Sequence, residues 1–534
     1  MRGPKSAELC QHIFPAFPIY VQKSSSTMNR TTRPTLVVLT AALLPAFLGA
    51  VGAADKAPPL RAGVAKVDIT HPGARTPGDP LYAKALVLSD GDTTAAIVTV
   101  DAVAIAEIGS IRNDYLAKVR SQIEKELKIK PANVLINASH CHGQVCGDVE
   151  HRTVQAVKEA WQKMVPVTAG AGRGHEDRIM ENRRLKLKNG READVRHAYS
   201  LPPDEEVAGI GPVDPEIGVL RLDRKNGQAL ALVYNFACHP IQGIPSGGNT
   251  ADLAGFASKV IEDNLGEGAV ALFLQGCAGD VNPVTYKTVG NPRDAEPLGN
   301  MLGLSTLKAA RKIRSREGAE LRIVNEPLEL PRADLAGRIA SLRAEQERLL
   351  RSLKGTSLNL KTFIPLFVRY GVSGEYPSHY SHAYMHDRMI GRDDWRKLDA
   401  ENRKNLEQYV ENIHVMEELT RVQANLALLE MHQAQNAAAG KKTIGVELLG
   451  LRVGQFVLVT FPGELSVQIG LNVKKRSPHP MTFVAGYTNG YIYYAPTDEQ
   501  LRNGGCAQED CDCLVAPGWQ MLFENKAADL LKRL

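Results

Sequence analysis

The sequence has no surplus of either charge. Sixty-four lysine and arginine residues stand against 59 aspartate and glutamate, and the net +5 is spread along the chain rather than gathered into a stripe. No nucleic acid is therefore expected as a partner, while a small molecule or a lipid stays open. No internal repeat is visible, which sets aside repeat architectures. The apolar run from about Leu36 to Leu48 is too short to span a bilayer and is interrupted by Pro45. Arg30 and Arg33 precede it and small residues around Ala53 follow, the order of a secretory signal peptide beginning at Met28. Residues 1–54 are accordingly read as an upstream extension plus signal. The mature chain, 55–534, is expected to be exported to a periplasmic, secreted or envelope-associated location.

Cysteine is scarce as well. Of eight, Cys10 precedes the signal, and the remaining seven are an odd number that leaves at least one thiol free in an exported protein. The segment CAQEDCDC, residues 506–513, lacks the paired knuckles of a structural zinc site. A disulfide from Cys506 to Cys511 or Cys513 is expected instead. What is present is globular: 534 residues, 44% of them hydrophobic, suffice for one large or two medium cores.

Residues 62–136 alternate strand-like runs (AKALVLSD, AAIVTVDAVAI, ANVLINAS) with a segment of helical spacing, IGSIRNDYLAKVRSQIEKELKI. Residues 217–285 repeat that alternation, and the last block resumes it. The fold class is therefore α/β, mixed β-sheets flanked by helices. Two helical stretches, 332–354 and about 399–438, interrupt the scheme and predict an inserted arm over about 330–440, closed as a hairpin. Between them, a segment rich in aromatic residues and containing His379, His382 and His386 is expected to be a surface loop over the site, not a second metal centre.

Chemistry-bearing residues collect where apolar runs stop. NASHCHGQVCGD, residues 137–148, follows a strand, and extended geometry through it would send His140 and His142 to one side and Cys141 to the other. Such a pair is either a metal pair or two packed or surface histidines. His239 in FACHP, Glu464 in FPGELSV, and Tyr491, Tyr493 and Tyr494 in YTNGYIYYAPT also lie at strand ends, where α/β proteins gather binding residues. Asp252 either orients a ligand histidine or caps the helix that follows it. His151, His175 and His197 are read as exposed or supporting residues.

SHCHG, FACHP, TADLAGFAS, QGCAGDVNP, FPGELSV and NGYIYYAPT, in that order over about residues 60–500, resemble the catalytic N-terminal domain of the neutral (alkaline, non-lysosomal) ceramidases, in the manner of their short bacterial relatives. The resemblance implies one Zn2+ per chain held by His140, His239, Glu464 and Tyr494. It further implies that His142 and Arg183, from ENRR, stabilise an oxyanion at the scissile carbonyl. The implied activity is that of a zinc-dependent amidohydrolase cleaving an N-acyl sphingolipid or similar amphiphile by metal-bound hydroxide, with peripheral membrane contact left open. Three departures stand against a ceramide substrate. Gln275, Gly276 and Cys277 occupy a turn where the family carries Ser or Thr before Asn, the C-terminal immunoglobulin-like domain is missing, and the arm reshapes the pocket mouth. Cys277 is read as structural rather than nucleophilic, and QGCAGDVNP as a turn whose backbone and Asp280 set the pocket wall. The alternatives are a non-catalytic metal-binding scaffold of the cell envelope, or a zinc esterase or carbohydrate-directed hydrolase.

Overall fold

A computed structural model describes residues 59–73, 79–195, 201–243, 249–284, 286, 294–504 and 507–534. The expected signal peptide, Cys506 and His197 lie outside the described residues.

The core is an eight-stranded sheet built as two halves of the same plan. In the first, Arg61–Asp68, Tyr82–Ser89 and Thr94–Val100 run antiparallel, and helix Tyr115–Leu127 returns the chain to Val134–Ala138, parallel to Thr94–Val100. In the second, Val165–His175, Glu216–Arg224 and Ala229–Phe236 run antiparallel, and helix Asp252–Leu265 leads to Val270–Gln275, parallel to Ala229–Phe236. The halves are joined only at a corner, Arg61 opposite Pro166 and Ala62 opposite Val165. About that corner the sheet folds back, so that the edge strand Val270–Gln275 meets the last two strands of the other half. The Thr99 hydroxyl donates to the Phe273 carbonyl at 2.7 Å, and the Gln275 N–H donates to Asn137 Oδ1 at 2.9 Å.

Both faces of each half are covered, which is why these strands read as unbroken apolar runs. Leu86, Leu88, Ile97, Leu135, Leu220, Leu222, Val233, Leu272 and Leu274 fill the space between the halves. Their neighbours one residue along, such as Val87, Val98 and Ile136, or Leu232 and Phe273, face the flanking helices. A four-stranded sheet, Leu321–Pro331, Thr443–Val453, Phe456–Thr460 and Thr482–Ala485, adds Phe456, Leu458 and Phe483 to the interior.

The helical arm leaves this second sheet after Pro331 and rejoins it at Thr443, and these two residues are register partners. An insertion that departs and returns at one rung leaves the ladder intact. The arm pairs helix Ala336–Ser352 with the 45-residue helix Asp394–Ala438. Leu335, Leu342 and Leu349, seven apart, meet Leu419, Val422, Leu426 and Leu429 in one cluster, a heptad seam.

The expected loop between these helices is in fact two further helices, Leu360–Val372 and Ser381–Met389. Asn359 and Thr362 form a capping box that starts the first, a signal the loop reading passed over. Nor does this segment cover the strand ends. Tyr370 bonds Asp399 on the long helix, whereas Gln435 on that helix bonds Tyr493. Thirty-six residues of helix separate those anchors, about 54 Å at 1.5 Å per residue.

Candidate metal centre

His140, His239 and Glu464 converge. Each is at most 2% exposed, and one ligand atom from each lies within 4.8 Å of the others. His239 Nε2 is 3.0 Å from Glu464 Oε2, and His140 Nε2 is 3.5 Å from the same oxygen.

The strand feeding His140 ends at Ala138, and the extended geometry does not continue. His140 adopts φ +67°, a left-handed conformation that a non-glycine residue holds only when its surroundings impose it. That turn aims the imidazole inward, buries Cys141 in the core and leaves His142 exposed, its ring 5.5 Å from that of His140. His239 follows Ala229–Phe236, fixed by its backbone N–H and its Nδ1 to the Val281 carbonyl at 3.0 and 3.2 Å. Glu464 sits on a two-residue strand paired in parallel with Tyr494–Ala495.

The loop after Ala485 is fastened to strand Val134–Ala138 and carries two tyrosines, Tyr487 and Tyr491, to the centre. The Asn489 side chain accepts from the Ile136 N–H at 2.8 Å, and the Ala138 N–H donates to the Tyr487 carbonyl at 3.1 Å. Tyr487, Asn489 and Tyr493 all have positive φ between 52° and 62°, so backbone strain is concentrated here. The hydroxyls of Tyr487, at 3.2 Å, and of Tyr491 donate to Glu464. Burial, reinforced by the Glu464 charge, pushes both phenols well above their usual range, so they remain protonated donors.

Burial works to raise Glu464, but His140, the His239 hydrogen bond and Tyr491 hold its carboxyl well below the usual range. Burial pushes His140 down to about 4, so its ring is neutral. The Nδ1 atom of His140 faces the Val103 carbonyl at 2.6 Å and that of His239 faces Val281, and a carbonyl only accepts. Both Nδ1 atoms therefore carry the proton, and each Nε2 points at the ionised Glu464, that of His239 within hydrogen-bond distance. What reconciles these three groups in one buried space is a cation among them, either a proton on an Nε2 or a metal ion that replaces it. Two imidazoles oriented by backbone carbonyls and one carboxylate oriented by tyrosines are the donor set of a divalent transition-metal ion with its supporting shell. These residues fit a metal, and they would hold it through His140 Nε2, His239 Nε2 and a Glu464 oxygen.

Arg183 is 1% exposed and follows Met180–Asn182, which pairs with Val281–Pro283. Its guanidinium donates to Asn282 Oδ1 at 2.9 Å, to the Gly279 carbonyl and to the Tyr494 hydroxyl at 3.3 Å. Its Nε lies 2.7 Å from Glu509. Tyr494 sets its hydroxyl against Arg183, while Tyr491 and Tyr487 touch Glu464 directly. Arg184 is held by Asp510 at 2.8 Å and Glu192 at 2.7 Å. The QGCAGD turn anchors this assembly. Gly279 donates to the Leu465 carbonyl at 2.9 Å and Asp280 accepts from the Val467 N–H at 2.8 Å. A Cβ at Gly279 would sit 2.6 Å from the Glu464 carbonyl oxygen, so only glycine permits this approach.

The matches with solved structures concern the fold. The chain aligns over 89% of its length with 75% of the neutral ceramidase from Pseudomonas aeruginosa, at 17% identity and a TM-score of 0.55. It aligns over 89% of its length with 76% of a ceramidase complexed with C2, at 17% identity and a TM-score of 0.56. The chain has the fold of a neutral ceramidase. No family model matches its sequence, and no curated protein does.

One expectation is corrected. Cys141, Cys146, Cys238, Cys277, Cys511 and Cys513 are all free thiols, so the disulfide expected of CAQEDCDC is not formed. Cys511 packs into the arm cluster and Cys513 into the main core, pointing apart, while Glu509 and Asp510 between Cys506 and Cys511 do the structural work. Of the two roles open to Asp252, the bonds on its carboxylate match the one at the start of the helix. Its carboxylate accepts from the Gly243 and Leu253 N–H groups, each at 2.7 Å, pinning the loop after His239 to the start of the next helix. Cys277 packs against Gly470, and burial drives its thiol far above the ordinary range, which agrees with a structural role.

The sequence reading missed Tyr487, Glu509 and Asp510. Tyr487 carried a usable signal, a fourth tyrosine in the motif that already supplied three.

Proposed function

We propose that this chain is a zinc-dependent hydrolase cleaving an amide bond, in an N-acyl sphingolipid or a similar amphiphile. The observation that carries the reading is the convergence of His140 Nε2, His239 Nε2 and Glu464 at strand ends of a ceramidase fold, with each imidazole oriented by a backbone carbonyl. Zinc bound there would polarise a carbonyl and acidify a water molecule.

The chain's own groups supply the rest. Tyr494 is the fourth candidate ligand, and Arg183 donates to its hydroxyl at 3.3 Å and so orients it. Tyr487 and Tyr491 keep Glu464 ionised and in place. His142, exposed beside His140, is placed to donate to a substrate oxygen or to move a proton to a leaving amine. Arg183 contributes positive charge from beneath the site toward a developing oxyanion.

The observation favouring the rival scaffold reading is the turn at Gln275. Its side-chain amide donates to the Cys238 carbonyl at 3.0 Å and offers no hydroxyl. The test is release of fatty acid from an N-acyl sphingoid substrate by the purified protein. Turnover abolished by a chelator and restored by zinc is expected. A zinc-loaded protein inert toward amide, ester and glycoside substrates would leave the scaffold reading, and cleavage of only an ester or glycoside would replace the amidase.

A further inference from the structure

The two short helices at the far end of the arm present an apolar face outward. On helix Leu360–Val372, residues Leu360, Ile364, Phe367, Val368 and Val372 follow the spacing of a single helical face and are between 51% and 84% exposed. The opposite face already has its partner: Phe363 stacks on Tyr409 of the long helix with ring centres 4.5 Å apart, and Tyr370 bonds Asp399. On the adjoining helix, Met385, Met389 and Ile390 are more than half exposed as well. A monomeric protein rarely leaves so contiguous an apolar surface in water without using it.

We propose that this end of the arm docks on a lipid bilayer surface, lying in the interface with its apolar face down. Charge selects this occupant. Lys361, Arg369, Arg388 and Arg392 are the lysines and arginines of residues 360–392, and all four are exposed beside the apolar residues. Against them stand Glu375 and Asp387, and Asp387 is turned inward to accept the Asp394 N–H at 2.8 Å. An apolar face bordered by lysine and arginine suits acyl chains beneath anionic headgroups, whereas a second copy of the same basic face would repel it. No helix of the described residues is long and apolar enough to cross a membrane, so the contact is lateral. The arm is then a tether rather than a cover, holding a core that lies about 54 Å along its long helix at a fixed distance from the surface. The inference deepens the proposed lipid substrate but does not require it.

Sedimentation of the full chain with vesicles of phosphatidylcholine, alone and with phosphatidylglycerol, tests the docking. These lipids contain no amide for the proposed reaction, so the outcome is independent of catalysis. Binding is expected to rise with phosphatidylglycerol and to fall with salt. The variant Ile364→Ser/Phe367→Ser/Val368→Ser, altered only at exposed positions, should lose at least about tenfold in partitioning. Lys361→Glu/Arg369→Glu should lose only the dependence on anionic lipid. A chain that stays in the supernatant at every composition, or a triple variant that binds like the parent, overturns the proposal. So does a triple variant whose only change is a smaller mass in sedimentation equilibrium, which would make the face a contact between copies.

Discussion

Replacing Glu509 with alanine isolates the buried support beneath the site. Arg183 and Glu509 are both about 98% or more buried, and 2.7 Å separates Arg183 Nε from the carboxylate. Removing one partner of such a pair leaves an uncompensated charge, at a cost of about 3–5 kcal/mol. Arg183 retains the Gly279 carbonyl, Asn282 and the Tyr494 hydroxyl, so the lower part of that range is expected. Arg184 loses only a 3.4 Å contact and keeps Asp510 and Glu192. Against a domain stability of roughly 5–15 kcal/mol the loss is large. Urea unfolding of Glu509→Ala should show a lower midpoint at an unchanged slope. Asp263→Ala, which breaks an exposed pair with Lys259, should stay within about 0.5 kcal/mol of the parent. The double variant Arg183→Met/Glu509→Leu should recover most of the loss, because no charge is then stranded. A Glu509→Ala variant less than about 1 kcal/mol below the parent would refute the reasoning.

Other outcomes follow from the same geometry. Gly279→Ala should destabilise by about 1–3 kcal/mol in urea unfolding and weaken metal binding in a competition titration, because the added methyl meets the Glu464 carbonyl oxygen at 2.6 Å. Tyr491→Phe removes a donor from Glu464, and the metal affinity read in the same titration should drop by about 10- to 100-fold with the fold unchanged by circular dichroism. In a thiol-reagent titration the six described cysteines should react only after unfolding, since all are buried and burial raises Cys146 to about 11 and Cys513 to about 12. Reductant should leave the unfolding midpoint unmoved.

How much of this was legible in the sequence depends on range. His140, His239 and Glu464 each sit where an apolar run stops, a local signal, and their order in the chain resembles one family. The α/β class followed from periodicity for the same reason. The folding-back of the sheet was not legible, because it rests on edge strands joined by single bonds such as Gln275 to Asn137. Arg183 with Glu509 and Arg184 with Asp510 were equally hidden, as each pair joins residues 326 positions apart without a local pattern. Composition misled in two places. Cysteines in a chain expected to be exported suggested pairing, yet Cys511 and Cys513 belong to different clusters. The histidines, tyrosines and serines of 360–390 suggested a loop, although the spacing of Leu360, Ile364, Phe367 and Val368 and the Asn359 cap already indicated a helix.

The central claim is that one buried divalent ion sits among His140, His239 and Glu464. Elemental analysis of the full chain, purified without chelator, tests it most directly. One equivalent of zinc per chain is predicted, lost in His140→Ala and in His239→Ala while circular dichroism shows both variants folded. A folded parent that carries no metal and takes up none when zinc is supplied would contradict the account.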